Sequence, residues 1–298
     1  MALDAGPDAG GDRPSGWRAQ RCSGLRHTSP VVEDALVDSF RQAGTGVRFD
    51  WGVTAAATLP GPASALVVVD VLSFTTAVSV ATGRGIAIAP YSLGVAGAAD
   101  LAERLGAALA VPRRERSPAH PWTLSPSALL TAPPTHRLVL PSPNGSAIAA
   151  AVAGGQGGDD PGERTGGPAV VAGCLRNVTA TADWLVARGY GTDERPVWLI
   201  AAGERWPGGS LRPALEDQLG AGALADALER AGCSLSPEAR AAARTFAGTA
   251  DLLKAITRCA SGCELLAMGF PDEAEIAAAL DADDHASVMV GEMFVRVR

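Results

Sequence analysis

Apolar residues in this chain come in short unbroken runs, set apart by stretches of glycine, proline and charge. Val47–Trp51, Ala65–Asp70, Gly85–Ala89, Ala108–Val111, His136–Leu140, Val170–Ala172 and Val197–Ala202 have the length and composition of strands. Between them lie segments of helical character: a small-residue stretch up to Gly83, Val95–Leu105, the Ala-rich segment after Ser146, and a segment ending near Arg188. Further helices are expected from Pro213, over Pro237–Lys254 and over Asp272–Leu280, with one or two strands in Ser287–Arg296. This alternation predicts an α/β fold, layered α/β/α around a largely parallel or mixed central sheet, in one or two lobes.

Some stretches lack periodicity. Residues 1–30 are rich in Gly, Asp, Arg, Pro and Ser and are expected to be a disordered leader, followed by a short helix over Val31–Gln42. The segment 117–134 is Pro-rich and irregular, 154–167 reads as a flexible Gly-rich insertion, and Cys259–Leu265 as a loop. Residues 31–298 are thus expected to form the working domain.

The most informative unit runs from Val197 to Leu224. The strand Val197–Ala202 stops at Gly203, Glu204 and Arg205 follow at once, and the turn-rich Trp206–Ser210 leads to Arg212 and a helix. Ligands of open α/β sheets bind at such strand exits. At about 100° per residue, Leu215, Leu219, Leu224 and Leu228 span an apolar arc, with Glu216 near its middle and Asp217 at its edge. A carboxylate on a packing face must be paired, hydrogen-bonded or metal-bound. Glu216 therefore either caps its own helix or pairs with an arginine, or it is a metal ligand or acid/base group.

Other strand exits add chemistry. Asp70 ends the second strand, where a carboxylate either bonds the amides of the next helix or serves as a magnesium ligand or phosphate nucleophile. A haloacid-dehalogenase phosphatase would need another Asp two residues on, and the chain has Leu72. Asn144-Gly145-Ser146 makes a tight turn and helix start, either a plain cap or an anion seat. Arg176 and Asn177 leave the strand Val170–Ala172, with Arg176 suited to a phosphate or carboxylate fork. Arg113-Arg114-Glu115-Arg116 is expected to be a solvated face, Asp281–Asp284 a solvated turn, Cys174 a small buried residue and His285 the histidine to watch.

Net charge is −7, with no dense Lys/Arg run, which argues against nucleic acid as a partner but allows a local arginine cluster for a small anion. The five cysteines are irregularly spaced and imply a reducing compartment rather than a disulfide framework. No apolar run is long enough to span a membrane and no signal pattern opens the chain, so a cytoplasmic protein is expected. Oligomeric state, homo-oligomer or monomer, is left open. Carboxylates and arginines gathered in one crevice suit phosphoryl hydrolysis: Mg²⁺ neutralises phosphate oxygens, arginines hold the remaining charge, and a carboxylate directs water or attacks. Asp70, Glu204, Glu216 and Asp217 are the metal candidates, the first three also catalytic. Arg176, Arg205 and Arg212 are expected to hold the substrate's anions, helped by Asn144, Gly145, Ser146 and Asn177.

At these residues the chain resembles the 2-phosphosulfolactate phosphatase (ComB) family. The segments that carry it are Val67–Thr76, Ser142–Ser146, Gly173–Asn177, Ala202–Arg205, Arg212–Asp217 and Gly220–Gly222, with a weaker match over Ala260–Leu265. The resemblance implies a Mg²⁺-dependent hydrolase that takes phosphate from 2-phospho-3-sulfolactate, a small phosphorylated anion, on the way to coenzyme M. Many members carry Arg where this chain has Ser73 and Cys263, so another phosphorylated hydroxy acid, or a non-catalytic anion-binding protein, are the alternatives to that substrate and activity.

Overall fold

The computed structural model describes residues 40–61, 63–92, 96–152, 156–157, 164–165 and 167–298. The expected leader and most of Val31–Gln42 lie outside the described residues. So does most of the 154–167 segment, of which a two-stranded ribbon, Gln156–Gly157 with Arg164–Thr165, is described. Phe40–Arg298 form one compact unit.

Nine strands make a single mixed sheet: β1 Val47–Trp51, β2 Ala65–Val69, β3 Ala87–Ser92, β4 Ala108–Leu109, β5 Arg137–Ser142, β6 Ala169–Gly173, β7 Val197–Ala201, β8 Ala286–Val290 and β9 Met293–Val297. Their order is β1-β7-β2-β6-β8-β9-β3-β5-β4. The first four are parallel, β8 and β9 form an antiparallel hairpin, and β3, β5 and β4 are again parallel to one another. The hairpin meets the last block at one register pair, Phe294 with Ile88.

The unbroken apolar runs have a direct structural cause, because the central strands are covered on both faces. Val67 and Val69 of β2, with Val197, Leu199 and Ala201 of β7, pack into one core. Leu66, Val68, Trp198 and Ile200 pack into the other. The helices are α1 Gly52–Thr58, α2 Phe74–Gly83, α3 Ala98–Leu105, α4 Pro126–Thr131, α5 Gly145–Val152, α6 Val178–Ala187, α7 Leu215–Arg230, α8 Pro237–Ala247, α9 Leu252–Arg258, α10 Ala260–Ala267 and α11 Pro271–Ala278. α6, α7 and α8 contribute to the first core, and α1, α2, α4 and α5 to the second, which gives the expected α/β/α layers.

Several local expectations change. The helix expected over Pro237–Lys254 is two, since the chain turns at Gly248–Asp251 and Asp251 caps α9 through Lys254 N (2.9 Å). The loop expected at Cys259–Leu265 is helix α10, capped by the Cys259 thiol. The irregular 117–134 stretch contains α4, started by Ser125 with Pro126 in the first turn. Leu215 was placed on the packing arc of α7 yet is 42% exposed, while Leu219, Leu224 and Leu228 are fully buried.

Candidate active site

The site is assembled from the loops leaving β2, β5 and β7 together with the first turn of α7. Asp70 follows β2 and is buried. Its Oδ1 accepts from Phe74 N–H (3.2 Å), in the first turn of α2, and its Oδ2 from Gly145 N–H (2.7 Å), in the first turn of α5. Position 145 is limited to glycine by contact, because a Cβ there would lie 2.6 Å from Asp70 Oδ2 and 2.7 Å from Phe74 Cδ1. Asp70 thus does what a capping carboxylate does and also joins two strand-exit loops. Burial lifts its carboxyl to about 6; the two amides pull the other way, and Glu216 adds to the rise.

Glu216 and Asp217 open α7, and both are buried. Gly220, one turn on, lets the helix close on β2: a Cβ there would lie 2.7 Å from Val71 Cγ2. Asp217 Oδ1 accepts from Val71 N–H and Oδ2 from Gly203 N–H, both at 2.8 Å. Each oxygen of Asp217 thus ties the exits of β2 and β7 together, as the oxygens of Asp70 join β2 to the starts of α2 and α5, and this gives it a positioning role beside its place among the expected metal candidates. Burial, then the charges of Asp70 and Glu216, hold its carboxyl well above the usual range. Glu216 lies against the Cys259 thiol, which burial and that carboxylate push up to about 12.

Glu204 sits just past β7 in a short ribbon, Glu204–Arg205 with Leu211–Arg212. Its Oε2 accepts from Asn144 Nδ2 (3.0 Å). Burial lifts Glu204 to about 7; Asp70 adds to this, Asn144 opposes it, Glu216 adds further, and Arg212 offsets part. Four carboxylates therefore share one desolvated neighbourhood, in which burial and neighbouring charge raise Asp70, Glu204 and Asp217. Such a set calls for protons or a hard cation. Among the described residues no group of three or more His, Cys, Asp or Glu is arranged as a ready-made metal cage. The oxygen donors are nonetheless of the kind Mg²⁺ takes, and Mg²⁺ commonly uses one or two carboxylates, completing its shell with water and substrate phosphate.

Asp70, Ser73, Asn144 and Glu204 face a cavity of about 530 Å³ whose remaining wall includes Leu124, Leu265, Met268 and Phe270. Its size and its mix of apolar wall with convergent polar groups suit a small ligand. Arg113 also lines it. Sequence reasoning assigned Arg113 to a solvated face. The 3₁₀ turn Arg113–Glu115 instead turns its guanidinium inward, onto Ser73 Oγ and over the Phe270 ring. Those partners are 40 and more residues away, so no local pattern marks Arg113 out. Ser73 lines this cavity, and the exposed Cys263 does not.

The other expected anion holders are placed elsewhere. Arg176 is taken up by a two-pronged pair with Asp283, from Nε (2.9 Å) and Nη2 (3.0 Å), and by Ile276 O (3.0 Å). Asp283 is accordingly half-buried rather than solvated. Asn177 is fully buried and closes its own turn through Cys174 N (2.9 Å) and Ala172 O (3.1 Å). Ser146 is fully buried and bonds Tyr91 O and Ser142 O, both at 2.6 Å. Arg205 is exposed and reaches Gly209 O (3.1 Å). Arg212 is the arginine of that set that stays with the cluster, close enough to act on Glu204, and it sits over the Trp206 ring. Burial pushes the Cys174 thiol up to about 11, which suits a buried filler and not a nucleophile. His285 is buried against Thr82 Oγ1 (3.0 Å). A larger cavity, about 1120 Å³, lies by α6 and the 281–285 turn. Its Asp281, Asp283 and Asp284 are already bonded to Thr179, Arg176 and Arg296, and none of the Asp70 cluster reaches it.

A comparison with curated proteins gave no match. The profile of the family described as 2-phosphosulpholactate phosphatase matches residues 54–292, a span of 239 of the 298 residues that takes in every strand and loop of the carboxylate cluster. The chain therefore belongs to the 2-phosphosulpholactate phosphatase family, whose members are phosphoric monoester hydrolases.

Proposed function

We propose that the cavity beside Asp70 hydrolyses the phosphate monoester of a small anionic 2-hydroxy acid of the 2-phosphosulfolactate type, with Mg²⁺. The observation that carries this reading is that Asp70 and Glu204 meet on the wall of a ligand-sized cavity, with the buried Glu216 close enough to act on both. Asp70 and Glu216 would hold the metal, with Glu204 beside them. When bound, Mg²⁺ neutralises the phosphate oxygens and the charge that develops on the transferring phosphoryl group.

The chain's own groups do the rest. Gly145 and Phe74 amides fix the Asp70 carboxylate, and Asp217 fixes the two loops that carry Asp70 and Glu204. Glu204 is anchored through Oε2 by Asn144, which leaves Oε1 to orient water and take its proton. Arg212 compensates charge at Glu204. The apolar wall of the cavity excludes water from the reacting groups, which strengthens each of these interactions. No helix among the described residues is long and apolar enough to cross a membrane. The thiols of Cys174, Cys233, Cys259 and Cys263 are unpaired, which supports a cytoplasmic setting.

Acid quench during a single turnover separates the two routes to phosphate, since water supplies one phosphate oxygen in both. No phosphorylated Asp70 trapped while phosphate is released is the expected result. A trapped aspartyl-phosphate would transfer the attacking role from water to Asp70.

A further inference from the structure

Arg113 enters the cavity wall as a desolvated cation without a matching counter-charge. Its guanidinium lies over Phe270, 5.8 Å from the ring centroid, and one terminal nitrogen donates to Ser73 Oγ. Its Nε is buried and has no hydrogen-bond partner among the described residues. It forms no ion pair among them either. The carboxylates that act on it, Glu273 and Asp70, do so from beyond ion-pair reach. Glu273 is engaged by Ser125 and Ser127 through Oε1 alone, and its Oε2 is buried without a partner among the described residues, so neither it nor Arg113 has found the other.

A guanidinium carries five N–H donors, and among the described residues one of them is used here. Burying a cation with its hydrogen bonds unmade is costly, and the cost is recovered when an oxyanion takes the fork. Arg113 is the arginine felt by Asp70, whereas Arg212 is the one felt by Glu204. The cluster is thus flanked by two cations. Arg113 is the one that stands with the apolar side chains able to seat a carbon skeleton, Leu124, Leu265 and Met268.

We propose that Arg113 receives the substrate's sulfonate-type oxyanion, the group other than the phosphate and the carboxylate, and so sets the preference for a doubly anionic hydroxy acid. This deepens the phosphatase reading and rests on it for the identity of the bound molecule. The residue binds and selects; the chemistry belongs to the carboxylate cluster.

Titration calorimetry on the full chain, with 3-sulfolactate, lactate and inorganic phosphate as probes, tests this without turnover. Wild type is expected to bind 3-sulfolactate at least about tenfold more tightly than lactate, as a charge-assisted fork would give. In Arg113→Ala that advantage disappears while phosphate affinity changes less than about twofold. Arg113→Lys, which keeps the charge and loses the fork, recovers part of it and serves if the alanine variant does not fold. An unchanged preference in a folded variant, an equal loss for phosphate, or no sulfolactate binding by wild type would each overturn the proposal. Phosphate release from 2-phosphosulfolactate by wild type is read separately. Arg113-dependent sulfolactate binding without turnover would sink the phosphatase reading and leave this assignment standing, and turnover with an unaltered Arg113→Ala preference would do the reverse.

Discussion

Replacing Gly145 by alanine adds one methyl group at the point where two loops of the site touch. The new Cβ would lie 2.6 Å from Asp70 Oδ2, 2.7 Å from Phe74 Cδ1 and 2.8 Å from Asp70 Cβ. Ordinary contacts are several tenths of an ångström longer, so α5 and Asp70 must part. Doing so stretches the 2.7 Å bond from Gly145 N–H to Asp70. Overpacking of this kind costs about 1–3 kcal/mol, and the loss of a buried charge-assisted hydrogen bond about 1.5–3 kcal/mol. Against this, alanine favours a helix over glycine by about 1 kcal/mol. The clash wins, for a net loss of roughly 2–4 kcal/mol, or about 5–15 °C in Tm for a chain of this size. Urea denaturation followed by circular dichroism measures it, with kcat/KM on the same preparation. Activity should fall more than stability, because the displaced carboxylate is Asp70. A variant that keeps wild-type stability within about 0.5 kcal/mol and full turnover would refute the reasoning that the Asp70–Gly145 contact locks the site.

Glu204 has a folded-state carboxyl lifted to about 7, so the native protein holds this proton more tightly than the unfolded chain does. Its contribution to metal-free stability is therefore present at low pH and lost as pH rises from about 4.5 to about 7, by roughly 2–3 kcal/mol; Glu204→Gln should flatten that slope in urea midpoints measured with EDTA. The Arg176–Asp283 pair is largely buried, with 11% and 14% of the side chains exposed. Arg176→Ala should cost about 3 kcal/mol of stability while leaving kcat and KM within about twofold, and a tenfold rise in KM would return Arg176 to the substrate site. Cys174→Ala should retain phosphate release, and the wild-type thiol should resist iodoacetamide at pH 8, since burial pushes it up to about 11; loss of activity in the variant would reopen a nucleophilic role.

The parts of the fold that could be read from sequence are those set by local pattern. β2 and β7 announce themselves as unbroken apolar runs because both of their faces are covered. Glu216 was legible as a carboxylate on the packing face of α7, and it is 2% exposed. What could not be read depends on distant partners. Asp70 and Asp217 were legible as carboxylates at element ends, but not the amides they bind far along the chain, Gly145 for Asp70 and Val71 for Asp217. Arg176 and Arg113 sit in similarly polar loops. One is taken by Asp283, 107 residues on, and the other is turned inward onto Ser73, 40 residues back. Helix α10 was missed because its cap is a cysteine thiol rather than a Ser, Thr, Asp or Asn.

The most direct test of the phosphatase account is phosphate release by the wild-type chain from 2-phosphosulfolactate, 2-phospholactate and phosphoglycolate, each with Mg²⁺ and with EDTA. The account predicts turnover that requires Mg²⁺, is abolished by EDTA, and is fastest with 2-phosphosulfolactate, which carries a sulfonate in addition to the carboxylate common to all three. Folded protein that binds phosphate or sulfolactate yet releases no phosphate from any of the three, with Mg²⁺ present, would contradict it and leave an anion-binding protein in place of an enzyme.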